Sequence, residues 1–231
     1  MISVIIPALN EQSNIDYCLH SLLEQNINRD SYEIIVVDGD SKDNTKEIAG
    51  QFADQVVSQK RRGIGGARGD GVEVSHGDIV VFTDADTLHQ RDWLEVIQEN
   101  LTYQGYDVST GPVLFYDGTF KSDLIRLWRN QYKILHLFDF YWLIGSNMAM
   151  KRETYDSING HRDISILEDY DLSIRMFKEG DILCNYDPRQ VVYTSARRFN
   201  NLLTYMWIYL QGYYHYHVTN DDLRLLQYPR F

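Results

Sequence analysis

Only two cysteines, Cys18 and Cys184, occur in 231 residues, and neither belongs to a CxxC pair. That argues against a disulfide framework and suits a reducing compartment, although two cysteines could in principle pair. Positive charge is also scarce: 22 Lys and Arg stand against 33 Asp and Glu, a net charge of −11. Such a chain is not expected to bind nucleic acid through a general basic field, although a local basic patch or a bound metal can still meet an anionic ligand. No run of about 18 apolar residues is present, so no membrane span is expected. The opening "MISVIIPALNEQ" reaches proline and polar residues too early for a secretory leader. A cytoplasmic location is therefore expected. What remains is ordinary for a folded protein, 44% apolar and 24% charged residues, in a length that supports one sizeable α/β domain or two small ones.

Strand-like runs and helical patterns take turns in the first half. "SVIIPAL" (3–9), "EIIVVDG" (33–39), "QVVS" (55–58) and "DIVVF" (78–82) read as strands. Between and after them, Ser13 as N-cap with Ile15, Cys18, Leu19, Leu22 and Leu23 at helical spacing predicts one helix. Residues 44–52, a segment beginning near Gly65, and 92–103 predict three more. Alternation of this kind implies parallel pairing through right-handed crossovers. In such sheets ligands bind outside the carboxyl ends of the strands.

Those ends carry acids. The first strand leads into "PALNE", the second ends in Asp38 within "VVDGDSKDNT", and the fourth runs into "DIVVFTDADT". If the chain stays extended there, its period of two points Asp84 and Asp86 to one side and Ala85 to the other. Two like charges that close call for a cation between them, although Asp is also a common turn residue. Asp38, directly after four consecutive apolar residues, suits an acceptor for a ligand N–H, whereas Asp40, Ser41 and Asn44 read as capping or turn residues. Between the third and fourth strands lies "QKRRGIGGARGDG" (59–71), a dense basic segment with Lys60, Arg61, Arg62, Arg68 and five glycines. That is the composition of a loop approaching phosphate, or of a flexible solvated loop. It lacks a full GxGxxG.

Taken in order, "PALNE", "VVDGDSKDNT", "GIGGARGDG", "FTDADT", "GSNMAMKRE" and "ILEDYDLSIRMFKEG" resemble the motifs of the family 2 glycosyltransferases, inverting enzymes with the GT-A nucleotide-sugar fold. The resemblance spans 3–198. It implies an α/β fold with a mostly parallel central sheet flanked by helices, a UDP- or GDP-sugar donor, and Mg²⁺ or Mn²⁺ at the Asp84-Ala85-Asp86 motif. Asp84 and Asp86 would hold the metal and the ribose-diphosphate, Asp86 as the direct ligand. Pro7, Asn10 and Glu11 would lie on the nucleoside side, Asp38 would read the base, and Arg68 matches the arginine of the basic segment. Gly145, Ser146 and Asn147 match the segment lining the donor–acceptor junction. Asp169 matches the catalytic base and Glu168 its neighbour. One departure is visible, because the usual Asp-Asp-Gly-Ser reads Asp38-Gly39-Asp40-Ser41 here. The expected division is a nucleotide-binding half (1–104) and an acceptor and catalytic half (105–198), followed by a helical extension (199–231).

The chemistry makes the same demands. A leaving diphosphate needs its developing charge stabilised, and a sugar hydroxyl needs a base to take its proton. Glu168 and Asp169 open an amphipathic helix on which Leu172 and Met176 continue the face of Asp169; the macrodipole alone also favours acids there. Asp171 and Arg175, at i and i+4, read as a structural pair. Arg197 and Arg198 follow a strand, either as a second phosphate contact or as a solvated basic pair. The aromatic stretches 133–145 and 199–217 read as packed core or a face between copies of the chain. The alternative is peripheral contact with the inner membrane face, near a lipid-linked acceptor. His215 and His217 read as packing residues before metal ligands.

The leading reading is metal-dependent, inverting transfer to a hydroxyl of a glycan or lipid-linked saccharide. A polyprenyl-phosphate acceptor, already ionised, would need no base. A non-catalytic nucleotide-sugar binding module would keep Asp38 and could lose Asp169. A sugar nucleotidyltransferase would carry a GxGTR-like loop where "PALNEQ" stands.

Overall fold

The structure, a computed structural model, describes residues 1–118, 140–197, 202–219 and 221–227. Strand β1 (Ile2–Ala8) is followed by α1 (Ile15–Leu23), β2 (Tyr32–Asp38), α2 (Thr45–Ala49), β3 (Gln55–Ser58), α3 (Gly63–Val74) and β4 (Ile79–Phe82). Then come β5 (Thr87–His89), α4 (Trp93–Gln98), β6 (Val108–Thr110), β7 (Val113–Phe115), β8 (Met148–Lys151), α5 (Arg152–Ser157), α6 (Glu168–Glu179), β9 (Cys184–Tyr186), β10 (Val192–Thr194), α7 (Leu202–Tyr214) and α8 (Asp222–Leu225).

Among the described residues one sheet runs β3-β2-β1-β4-β8-β6-β9 and a smaller one β5-β10-β7. In the large sheet only β8 is antiparallel to its neighbours, so the expected mostly parallel α/β architecture holds. The apolar runs of β1, β2 and β4 are buried on both faces, as parallel strands covered by crossover helices must be. Alternate residues go to alternate sides. Val4, Ile6, Ile34, Val36 and Val81 pack with Cys18, Leu19, Leu22 and Trp93, while Ile5, Ile35, Val37, Val80 and Phe82 pack with Ala67, Val72, Leu172 and Met176. Cys18 and the Leu172–Met176 face are therefore core, as their spacing predicts.

Three local expectations change. Helix α1 starts one residue later than a Ser13 cap would place it, with Asn14 at the N-cap position and no side-chain cap bond. The loop reading of the basic, glycine-rich segment holds only up to Arg62: from Gly63 onward it is α3, the helix expected to begin near Gly65. At the start of the helix glycine admits neighbouring backbone, since Gly63 sits at φ 73° and a Cβ there would run into the carbonyl of Ile164. Extended geometry also stops at Phe82, so Asp84, Ala85 and Asp86 lie in a turn, closed by the Thr87 N–H donating to the Asp84 carbonyl at 3.1 Å. The two carboxylates take different guanidinium partners, Asp84 with Arg68 and Asp86 with Arg197. Among the described residues no helix is long and apolar enough to cross a membrane.

Candidate active site

A cleft opens at the carboxyl ends of β1, β2 and β4, where parallel topology gathers the loops. One part is lined by Pro7, Ala8, Glu11, Gln59, Asp84 and Ala85. The adjoining part is lined by Gly145, Ser146, Asp169, Thr194, Tyr205 and Tyr209. Asp84, Glu168, Ile64 and Tyr209 border both parts.

Two arginines organise the acids. Arg68, on α3 and only 1% exposed, donates through Nη2 to Asp84 Oδ1 at 2.9 Å and through Nη1 to Glu168 Oε1. Gly145 makes room for it, since a Cβ there would meet the guanidinium. Burial, reinforced by the Asp169 charge and opposed by Arg68, pushes the Glu168 carboxyl up to about 7. Arg197, 35% exposed and reached from the loop after β10, pairs with Glu11 Oε1 and, at 3.1 Å, with Asp86 Oδ2. The Thr194 hydroxyl donates to Asp86 Oδ1 at 3.2 Å, and Asp117 steadies the loop by accepting from the Ser195 hydroxyl at 2.6 Å and the Ala196 N–H at 2.5 Å. Asp84 and Asp86 thus escape mutual repulsion because each faces its own guanidinium.

Asp169, half-buried in the first turn of α6, accepts from the Gly145 N–H at 3.3 Å and from the Tyr170 N–H at 2.7 Å. The residue that presents the Glu168–Asp169 pair, Leu167, has φ 62° and ψ 23°. A non-glycine residue held in the left-handed region stores strain that surrounding packing must over-determine. Asp171 and Arg175 form the expected structural pair at 2.7 Å, joined by Arg162 at 2.9 Å.

The other expected residues fall into distinct environments. The Asp38 carboxylate, 4% exposed, accepts from the backbone N–H groups of Asp40 (3.2 Å) and Ser41 (3.3 Å), folding the loop after β2 over itself. Asn10, at φ 56°, ties the loops after β1 and β2 together by accepting from the Lys42 N–H at 2.8 Å. Ser146 lines the cleft beside Gly145. Asn147 does not: fully buried, its amide accepts from Trp93 Nε1 and Gln190 Nε2 and donates to the carbonyls of Pro112 and Gln190. That uses every hydrogen-bonding position of an asparagine side chain and leaves none for a substrate. Arg198 and the stretch 133–139 lie outside the described residues. In the basic segment, Arg61 donates to Asp163 Oδ1 at 2.7 Å and to the His161 carbonyl at 3.0 Å, a packing role.

Sequence reasoning missed Tyr205 and Tyr209. They sit one helical turn apart on α7 and border the cleft, while Ile208, Tyr213 and Tyr216 pack with Ile164, Ile166 and Leu167. The same helix exposes Leu203, Trp207 and Leu210 on its other side. The i, i+4 spacing was the available signal, hidden in a stretch where nearly every residue is aromatic or apolar. His217 Nε2 lies 3.0 Å from the Tyr170 hydroxyl and His215 Nδ1 3.1 Å from Thr219 Oγ1, the packing environments expected.

The donor set suits a divalent cation of the hard, oxygen-seeking kind. Asp84 and Asp86 bracket the turn, and Arg197 joins Asp86 to Glu11. Among the described residues no cluster of three or more His, Cys, Asp or Glu is arranged to hold a metal by itself. That pattern fits Mg²⁺-like ions, which take one or two carboxylates and fill their shell with water and substrate phosphate oxygens.

Comparison with known proteins identifies the family and the fold. The family model for glycosyl transferase family 2 matches residues 3–159, and the chain belongs to that family. A glycosyltransferase of Haloferax volcanii, AglE, is 38% identical over 120 residues, covering 49% of this chain and 40% of that protein, so the chain spans less than half the length of that relative. Among solved structures, a mannosyltransferase of Pyrobaculum calidifontis in complex with GDP-Man and Mn²⁺ superimposes with a TM-score of 0.66 at 24% identity, covering 84% of this chain and 56% of that one. Glucosyl-3-phosphoglycerate synthase of Mycobacterium tuberculosis, with Mn²⁺, UDP and glucosyl-3-phosphoglycerate, gives 0.67 at 23% identity, covering 87% and 74%. The chain thus shares the GT-A fold of these structures.

Proposed function

We propose that the protein is a metal-dependent, inverting glycosyltransferase that moves a sugar from a UDP- or GDP-linked donor to a hydroxyl of a glycan or lipid-linked saccharide. The observation that carries the reading is that Asp169 and the Asp84–Asp86 turn open into one cleft from opposite halves of the chain. The structural neighbours bound to Mn²⁺ and UDP or GDP-Man support the choice of donor and metal. Residues 1–104 would hold the nucleotide and 105–198 the acceptor.

In this reading the nucleoside lies against Pro7, Asn10, Glu11 and Asp38, and Asp84 and Asp86 hold Mg²⁺ or Mn²⁺. When bound, the cation neutralises charge developing on the leaving diphosphate. Arg68 keeps Asp84 and Glu168 in register, and Arg197 stands at the diphosphate edge. The Gly145 N–H aims the Asp169 carboxylate. Asp169 takes the acceptor hydroxyl proton as the oxygen forms its bond to the anomeric carbon. The bond from that carbon to the diphosphate breaks on the opposite face, and the diphosphate leaves with the electron pair. Displacement from opposite faces inverts the anomeric centre.

Asp169→Asn, which keeps shape but cannot accept a proton, is expected to lower transfer by about 10²- to 10⁴-fold while retaining Mn²⁺-dependent nucleotide binding in a thermal-shift assay. Asp86→Ala is expected to lose that Mn²⁺-dependent shift. Near-normal transfer by Asp169→Asn would remove the base from the mechanism.

A further inference from the structure

We propose that His89 is a positioning residue for the turn that carries Asp84 and Asp86: bonded to Thr83 on one side and Ser21 on the other, its imidazole clamps that turn in the shape that receives the cation. The proposal rests on the reading of Asp84 and Asp86 as the metal site and adds a residue outside the ligands themselves.

The turn leaves β4 at Phe82 and re-enters extended structure at Thr87. Its two flanks are tied across the aspartates by Thr83 Oγ1 and His89 Nε2, which lie 2.8 Å apart. The other ring nitrogen, Nδ1, lies 2.9 Å from Ser21 Oγ on α1. Ser21 donates its one hydroxyl proton to the Cys18 carbonyl at 2.7 Å, and its oxygen accepts from the His89 backbone N–H at 3.2 Å. Nδ1 therefore carries the ring proton and donates to Ser21, which leaves Nε2 to accept from the Thr83 hydroxyl. Burial holds the imidazole down to about 3, so the ring stays neutral and keeps this one tautomer. The same stretch of α1 meets the turn a second time, with Cys18 Sγ 3.5 Å from the Asp84 carbonyl.

The surroundings give the clamp something rigid to hold on to. His89 is buried, with its ring centroid 4.3 Å from that of Trp93, and Trp93 Nε1 donates to Asn147 Oδ1 at 2.9 Å. On β5, His89 pairs with Val192 of β10, and Thr87 pairs with Thr194, whose hydroxyl donates to Asp86 Oδ1 at 3.2 Å. One imidazole thus joins α1, the end of β4, β5 and α4 around a single turn. Packing alone would be met by any ring of that size. The paired hydrogen bonds to two different elements need a side chain with a donor on one edge and an acceptor on the other, which neutral histidine supplies. A cation held by one or two carboxylates depends on how those carboxylates are aimed, and groups behind the ligands that fix their placement contribute to its affinity.

The test reads the turn without metal and with it. In the metal-free full chain, hydrogen exchange followed by NMR reports the Thr87 N–H, which closes the turn on the Asp84 carbonyl. In the presence of UDP or GDP, Mn²⁺ affinity is read from the electron paramagnetic resonance signal of the free ion. Thr83→Val replaces the hydroxyl with a methyl group, and His89→Phe keeps a ring against Trp93. Each is expected to speed exchange at Thr87 and to weaken Mn²⁺ affinity about tenfold, the lower end of what groups behind metal ligands contribute. Both variants break the same link, so the double variant should lose no more than about twofold beyond either single one. Thr83→Ser, which keeps the hydroxyl, should stay within about twofold of the unmodified protein. Ser3→Ala removes a buried hydroxyl at the amino end of the same sheet, where it donates to Glu33 and accepts from the Gly77 N–H, and should lower stability in urea while moving neither readout. Unchanged exchange and affinity in Thr83→Val and His89→Phe, losses that multiply in the double variant, or an equal loss in Ser3→Ala would overturn the clamp. Should His89→Phe fail to fold, Thr83→Val against Thr83→Ser decides the matter. Failure of the glycosyltransferase reading has a separate sign: the unmodified protein would show no Mn²⁺-dependent affinity for UDP or GDP, while exchange at Thr87 would still report whether His89 holds the turn.

Discussion

Arg68 and Arg197 do formally the same thing on two sides of one cleft, each joining an acid of the Asp84–Asp86 turn to a glutamate far away in sequence. Their settings differ. Arg68 rises from a helix in the core and is 1% exposed; Arg197 reaches in from the loop after β10 and is 35% exposed. A guanidinium buried with two carboxylates is part of the fold, because removing it strands charge in a low-dielectric interior. Arg197 keeps partial contact with water, so its own desolvation is smaller, although the two carboxylates that it joins are 7% and 3% exposed. The same ion-pair chemistry is therefore sealed in the core on the Glu168 side and open to water at the guanidinium on the Glu11 side, where, on the proposed reading, a diphosphate and a cation would enter and leave.

The largest expected effect separates the two directly. Arg68→Ala should cost about 3–5 kcal/mol of stability in urea denaturation. Adding Glu168→Gln should recover part of that loss, with a coupling of about 0.5–3 kcal/mol. A loss under 1 kcal/mol for Arg68→Ala would erase the contrast.

The second concerns protons. Glu168 titrates near 7 in the folded protein, above the ordinary carboxyl value of 4.5. Between those values the folded state holds more protons than the unfolded one, so this group's contribution to stability is full below about 4.5 and is lost as pH rises through about 7. Glu168→Gln should flatten that part of the stability–pH curve and leave the region below 4.5 parallel to the unmodified protein. A flat curve for the unmodified protein between those values would place Glu168 in an ordinary ionised pair like those of Arg197.

The smallest effect is expected at Arg197. Arg197→Ala should destabilise less than Arg68→Ala, since the Arg197 guanidinium keeps contact with water while Glu11 and Asp86 are buried, and raising NaCl from low to molar concentration should reduce the loss, since the partly exposed pair is screened. The stability loss of Arg68→Ala should be nearly insensitive to salt.

Much of this architecture is legible in one dimension. The strands at Ile2–Ala8, Tyr32–Asp38 and Ile79–Phe82 announce themselves because strands covered on both faces must be continuously apolar. The Asp84–Asp86 motif is legible because acids directly after such strands sit where parallel sheets expose their loops. Asp169 is legible as an acid in the first turn of an amphipathic helix. Other features mislead when read locally. The glycines of 63–71 look like a phosphate loop, yet they lie in the helix whose start near Gly65 the pattern also announces, and Gly63 and Gly65 stand where Ile164 and Arg162 approach too closely for a Cβ. Asn147 looks like a substrate contact, yet its amide is used by Trp93, Gln190 and Pro112.

By itself, then, the order of apolar runs and acids determined the parallel α/β frame and the edge at which its chemistry gathers, since burial on two faces and strand-end placement follow from short-range pattern. Only the tertiary structure decided which charges meet. Arg68 and Glu168 are 100 residues apart and Arg197 and Glu11 are 186 apart, and no periodicity spans such distances. Partner choice across them depends on crossover handedness, on the turn that separates Asp84 from Asp86, and on the return of α7 over the cleft. Each of these is set by the packing of whole elements, and through them the fold turns scattered acids into one pair sealed in the core and one whose guanidinium is open to water.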